Sequence, residues 1–429
     1  MIKGESILAE KNKIVTQQIN PTLSIVAEEL PKFYSFSLGF FINYGSRDEP
    51  LSDNGITHLI EHMLFKGTSQ KSSLEIVKLI EGLGGSFDAY TTKENLIIIT
   101  KFLSEHVTRV FNLISEVLLE SKIAKAELQK EKSVVLEEIK SNDEDPGEYV
   151  FDLFFKALYP NHTMGLSIAG SEKSIKKIDA VKTKNHYRKL LKKETVIAIS
   201  GNFDYQSILK LAQTKFPKAD VLQTKRIPPK PQFGETIVQH RKEISQVQFV
   251  FGTAGVEYSS PLRYALSIMS SAFGGSMSSR LFQGLREKAG LVYDVQSFLD
   301  FYSDCGMTGF YFVCDKNNLK NIAKQLKIIF CEVHEHGFGK EELELAKTYL
   351  WGNLLLSLES STTRMLRLGR EMSYLKKVMA IDDIVNKIRR TSDNEINGLI
   401  KEYLNPKKYT IAAIGPINKT EVEDIFRMS

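Results

Sequence analysis

Residues 55–67, GITHLIEHMLFKG, and residues 263–275, RYALSIMSSAFGG, are the pair of stretches from which the architecture is read. In the first, Ile56, Leu59, Ile60, Met63 and Leu64 recur at helical intervals and predict a short helix with one apolar side. His58 and His62 fall one turn apart on the less apolar side, where Glu61 joins them and Phe65 shares the face. Asp53 or Asn54 is the expected N-cap and Gly67 the expected end. The second stretch predicts a helix of the same length. With Phe273 laid on Phe65, Leu266, Met269 and Ser270 stand opposite His58, Glu61 and His62.

The flanks repeat as well. An apolar strand precedes each helix, at 36–45 and at 245–255. A strand pair follows, near 85–103 and 292–314, then two long amphipathic helices, and each half closes on a strand, TVIAISGNF at 195–203 and YTIAAIGPI at 409–417. This order predicts an α+β fold of two homologous domains, each a mostly antiparallel sheet covered by helices. The stretch KRIPPKPQFG, 225–234, with prolines at 228, 229 and 231, disfavours helix and central strand and reads as the linker. The expected domains are 1–224, which carries the histidines, and 235–429.

His58-Leu59-Ile60-Glu61-His62 is an H-x-x-E-H motif, the reverse of the zinc-peptidase order H-E-x-x-H. Two imidazoles at this spacing suit Zn2+, and a carboxylate beside them can take a proton from the attacking water. The competing reading is a pair of surface histidines on a polar helix face. A third ligand is expected from IAKAELQKEKSVVLEEIKSNDEDP, an amphipathic helix ending before Pro146, with Leu128, Val135 and Ile139 as its buried stripe. Glu131 and Glu138, seven residues apart, share one bearing beside that stripe, whereas Glu137 points to solvent. Buried carboxylates need a charge partner or a metal, so the helix geometry picks Glu138 over its neighbour Glu137, with Glu131 two turns earlier as a supporting carboxylate; two solvated charges at the edge of the stripe are the competing reading.

These segments resemble the inverzincin peptidases (pitrilysin, insulin-degrading enzyme, mitochondrial processing peptidase), and most closely the processing-peptidase-like bacterial branch. The resemblance runs nearly end to end, through 45–68, 84–95, 131–146 and 274–295. It implies a metallopeptidase with one Zn2+ per chain held by His58, His62 and a glutamate about 76 residues after the second histidine, which is Glu138. Glu61 is then the general base and Glu131 the supporting glutamate. It further implies that Arg286 and Tyr293, seven residues apart in LREKAGLVY, grip the substrate carbonyl, so that catalysis depends on the two halves closing over the substrate. Asp88-Ala89-Tyr90-Thr91 stands where the family often has Asn-Ala-Tyr-Thr, and implies peptide docking along a strand edge. Peptides, unfolded chains or leader segments are the implied substrates and a homodimer the implied assembly. A non-catalytic structural subunit of the same fold is the alternative.

Composition narrows the class without deciding it. The net charge of +5 over 429 residues comes from interleaved Lys and Glu and gives no strong case for nucleic acid, which stands as a third reading. The nine Lys or Arg between Lys173 and Lys193 read as a solvated helix face. Three cysteines, Cys305, Cys314 and Cys331, are too few for a disulfide framework and favour a reducing compartment. Cys331 with His334 and His336 lacks a fourth ligand and reads as a helix end. The opening MIKGESILAEKNK has no apolar run for a leader, and no uncharged stretch is long enough to span a bilayer. The expectation is a cytoplasmic protein with neither membrane nor nucleic acid as partner.

Overall fold

The computed structural model describes residues 13–216 and 220–426, so nearly all of the stretch on which the absence of a leader was read lies outside the described residues. Two compact units emerge. One runs to Lys140 and adds Ser167–Arg226 and Leu355–Asp382, and the other takes Ser141–Leu166, Ile227–Leu354 and the chain from Asp383. They are therefore not the contiguous stretches 1–224 and 235–429. The connector does mark a boundary, since Arg226 goes with the first unit and Ile227 with the second.

The first sheet holds β1 (Ile14–Asn20), β2 (Leu23–Glu29), β3 (Ser35–Ile42), β4 (Ser86–Thr91), β5 (Leu96–Leu103) and β6 (Thr195–Gly201), in the order β1-β2-β6-β3-β5-β4. Only β2 and β6 are parallel. The second sheet holds β7 (Thr236–His240), β8 (Gln246–Gly255), β9 (Val292–Phe301), β10 (Gly306–Asp315) and β11 (Thr410–Gly415), in the order β7-β11-β8-β10-β9. There β7 and β11 are the parallel pair. Apart from β1, the second order repeats the first strand for strand, and both sheets are mostly antiparallel as expected.

In the first unit the helices Ile56–Leu64, Val107–Glu120 and Tyr205–Lys215 cover one face, around Leu38, Phe40, Leu59, Ile60, Phe111 and Ile114. The opposite face is covered by Ser361–Leu375, whose Met365, Leu368 and Met372 meet Val26, Phe41, Val196 and Ala198. Backbone and sheet come close there: a Cβ on Gly369 would lie 2.1 Å from Phe41 Cε2. Arg364 fastens the same helix to Glu28 at 2.6 Å, both side chains largely buried. In the second unit the helix Pro146–Leu158 lays Val150, Leu153, Phe154 and Leu158 against Val250, Met307, Ala412 and Ile414. Phe154 is fully buried there, worth about 2–3 kcal/mol over leaving it exposed.

Each sheet is thus covered by a helix drawn from the other half of the sequence. An apolar stripe says that a helix must be buried, not against which sheet, and the compact units are accordingly discontinuous in sequence.

Candidate metal centre

The motif helix is Ile56–Leu64, and its inward residues Ile56, Leu59, Ile60, Met63 and Leu64 are at most 1% exposed. Its cap differs from expectation. The N-cap is Gly55, at φ +91°, and no side chain of Asp53 or Asn54 caps it. Instead the Glu49 carboxylate folds back and accepts from Gly55 N and Thr57 N, each at 2.7 Å. An anion at a helix N-terminus satisfies orphan donors and complements the dipole. Burial pushes Glu49 up to about 7, although the hydrogen bonds from Thr57, Gly55 and Asn54 pull the other way.

The second helix of the site, Lys125–Glu144, buries Leu128 and Val135 and carries Glu131 and Glu138 toward the motif helix. Glu138 Oε2 lies 3.2 Å from His58 Nε2 and 3.4 Å from His62 Nε2. Glu131 Oε2 is 3.2 Å from His62 Nδ1, while its Oε1 meets Lys66 Nζ at 2.8 Å. Glu137 points away and pairs with Lys140 in solvent. Glu61 sits between strand and imidazole: Thr91 Oγ1 donates to its Oε2 at 2.6 Å, and His58 Nδ1 is 3.5 Å from the same oxygen.

The donor set fits a zinc ion. Tetrahedral zinc with bonds of about 2.0–2.1 Å keeps neighbouring donors about 3.3 Å apart, the spacing found between Glu138 Oε2 and both Nε2 atoms. His58, His62 and Glu138 form the one group of three such donors able to converge on an ion among the described residues. With its Nδ1 against Glu131, His62 is oriented to offer Nε2. Three carboxylates facing two imidazoles also call for positive charge. Burial works against a charged His58, yet the hydrogen bonds to Glu138 and Glu61 outweigh it and raise the imidazole to about 9. Conversely, the hydrogen bond from His58 holds Glu138 below its ordinary value.

Asp88, Ala89, Tyr90 and Thr91 lie on β4, the edge strand of the first sheet, and only Thr91 touches the cluster. Arg286 and Tyr293 belong to the second unit: Arg286 lies over the Phe282 ring in the helical turn Phe282–Glu287, and Tyr293, 62% exposed, is near the start of β9. His334 Nε2 meets Leu404 O at 2.8 Å, at the end of the helix Leu319–His336. The basic run divides into two helices, Glu172–Lys177 and Ala180–Leu190. No described helix is long and apolar enough to cross a membrane. Sequence reasoning missed Glu49 as cap, Lys66 as partner of Glu131, and Thr91 as partner of Glu61. Only Lys66, one turn beyond His62, carried a local signal.

Comparison with known proteins finds relatives over nearly the whole chain. The family model described as Insulinase (Peptidase family M16) matches residues 24–172, and that described as Peptidase M16 inactive domain matches residues 178–350. A protein of Bacillus subtilis (strain 168) named uncharacterized zinc protease YmxG is 34% identical over 393 residues, 91% of this chain and 96% of that one. An uncharacterized zinc protease of Mycobacterium leprae is 30% identical over 420 residues, 96% of this chain and 94% of that one. A crystal structure described as a peptidase M16 inactive domain from Pseudomonas fluorescens superposes with a TM-score of 0.84 at 22% identity, covering 95% of this chain and 98% of that one.

Proposed function

The chain belongs to peptidase family M16, and from that premise we propose that it is a zinc-dependent endopeptidase acting on peptides, unfolded chains or leader segments, with one Zn2+ per chain held by His58, His62 and Glu138. When bound, the ion supplies a Lewis acid that polarises the scissile carbonyl and acidifies water. Glu61 takes a proton from the attacking water and passes one to the departing amine nitrogen. The Thr91 hydroxyl holds that carboxylate in place. Glu131, neutralised by Lys66, keeps the His62 ring turned.

An extended peptide adds to the edge of β4, along Asp88, Ala89, Tyr90 and Thr91, so that main-chain hydrogen bonds supply affinity independent of sequence. Phe87 and Ala89 pack on the motif-helix side of the sheet and Tyr90 on the other, so substrate side chains alternate between two differently lined faces. Arg286 and Tyr293 are the donors assigned to the developing oxyanion. Both side chains are exposed, which suits groups that wait for a ligand. The proposal extends to a cytoplasmic homodimer, which sedimentation and fractionation would test.

The observation that supports this reading is the convergence of His58, His62 and Glu138 beside a carboxylate already oriented by Thr91. A non-catalytic structural subunit would have no use for that alignment. The test is zinc content together with hydrolysis of a quenched peptide library by wild type and Glu61→Gln. The variant should keep its metal and lose about 10²–10⁴-fold in kcat. Undiminished cleavage by the variant removes Glu61 from its role, and a wild type that binds no zinc and cleaves nothing supports the structural subunit.

A further inference from the structure

Arg226 is the second residue of the Pro-rich connector, a place where a basic residue reads as solvated charge, yet its side chain is 11% exposed. Its guanidinium forks onto Asp48, Nε to Oδ1 at 2.9 Å and Nη2 to Oδ2 at 2.8 Å. Nη2 also donates to Glu94 O at 2.8 Å and to Asn43 Oδ1 at 3.1 Å. Glu94, fully buried, takes a second cation from Arg47 Nη1 at 2.7 Å. The four charges, Arg47, Asp48, Glu94 and Arg226, balance.

Two elements meet at this guanidinium, and both lead to Glu61. Glu94 lies in the turn Thr92–Asn95 that immediately follows Thr91, the residue whose hydroxyl holds the Glu61 carboxylate. Asp48 ends the short turn Ser46–Asp48, and its neighbour Glu49 caps the helix that bears Glu61. The turns are also tied to each other, Ser46 N donating to Thr92 O at 3.0 Å and Arg47 N to Lys93 O at 2.9 Å. Arg226 belongs to neither element and clamps both.

We propose that Arg226 is a positioning residue for the reaction: by clamping the turn after β4 to the turn before the motif helix, it fixes the contact between Thr91 and Glu61. The role needs a planar fork that meets a carboxylate and a carbonyl together, which a lysine does not reproduce. It rests on the assignment of Glu61 as base.

The test uses the full-length, zinc-loaded enzyme. Arg226→Ala leaves two carboxylates facing one cation in a buried site and is expected to fold poorly, so the informative variant is Arg226→Lys, which keeps the charge. It should retain zinc, lower kcat about tenfold and leave KM within about twofold, because a small misplacement of a reacting group is felt in the chemical step. Combined with Thr91→Val, the loss should stay within about twofold of Thr91→Val alone, since both changes break one contact. A folded, zinc-loaded Arg226→Lys enzyme with wild-type kcat overturns the proposal, as do losses that simply multiply in the double variant. Glu61→Gln assayed alongside separates the two readings. An active Glu61→Gln enzyme sinks the base assignment, whereas an inactive one beside an undiminished Arg226→Lys sinks the positioning role alone.

Discussion

The helix Ile56–Leu64 of the first unit and the helix Arg263–Gly274 of the second follow corresponding strands, β3 and β8, in sheets of the same order. They differ on one face. Where the first presents His58, Glu61 and His62, the second presents Leu266, Met269 and Ser270, all buried. The long helices after them differ likewise: Ala346 and Asn353 stand where the first unit has Glu131 and Glu138. Packing can therefore be completed with or without ligands at these positions. The polar face of the first helix is not demanded by the fold, and its chemistry is the reason to look for a function there.

The largest effect expected from this comparison is at the ligand that the second unit lacks. Glu138→Gln should abolish zinc uptake and lower activity by about 10³-fold, the loss of several kcal/mol of Lewis-acid assistance. Glu137→Gln, one residue away in solvent, should leave metal content and kcat unchanged. Assaying both by metal analysis and hydrolysis breaks the account if the neighbours behave alike.

Exchanging the two faces comes next. Met269→Glu places a carboxylate in a fully buried position and should destabilise the second unit by about 3 kcal/mol in urea denaturation. Glu61→Met should cost little stability while removing activity. Equal costs at the two sites would show that the faces are not as different as they look.

The smallest effect concerns the caps. The second helix has no acidic side chain at its N-terminus, its N-cap being Leu262, whereas Glu49 caps the first. Burial raises Glu49 from its ordinary 4.5 to about 7. Between these values the folded chain keeps a proton that the unfolded chain has released, so this contribution to stability is complete below the lower value and falls as pH rises to the upper one. The fall should amount to at most about 3 kcal/mol, at 1.36 kcal/mol per unit. Tm measured from pH 4.5 to 7.5 should show it in wild type and not in Glu49→Gln. The same slope in both would place the titration elsewhere.

What the sequence made legible was whatever repeats at a local period. The i, i+3, i+4 spacing of His58, Glu61 and His62 set one face, and the seven-residue step from Glu131 to Glu138 set another, so two helices announced their side chains before any contact was known. The corresponding order of strands revealed the duplication. The rest was carried by contacts remote in the chain. Glu49 reaches its cap from six residues upstream of Gly55, past the Asp53 and Asn54 that local rules favour. Thr91 finds Glu61 only because β4 is the strand beside the motif helix. The helix Pro146–Leu158 packs on a sheet whose first strand begins only at Thr236, a contact too remote in the chain for local spacing to announce. Arg226 lies in the stretch read only as a linker, and nothing nearby foretold its two buried carboxylate partners, Asp48 and Glu94.

Anomalous diffraction at the zinc edge from crystals grown with Zn2+ tests the central claim most directly. One peak per chain is predicted, about 2.0–2.2 Å from the Nε2 atoms of His58 and His62 and from the Glu138 carboxylate, with none in the second unit. A peak bound by other residues, or none at this cluster, would contradict the account.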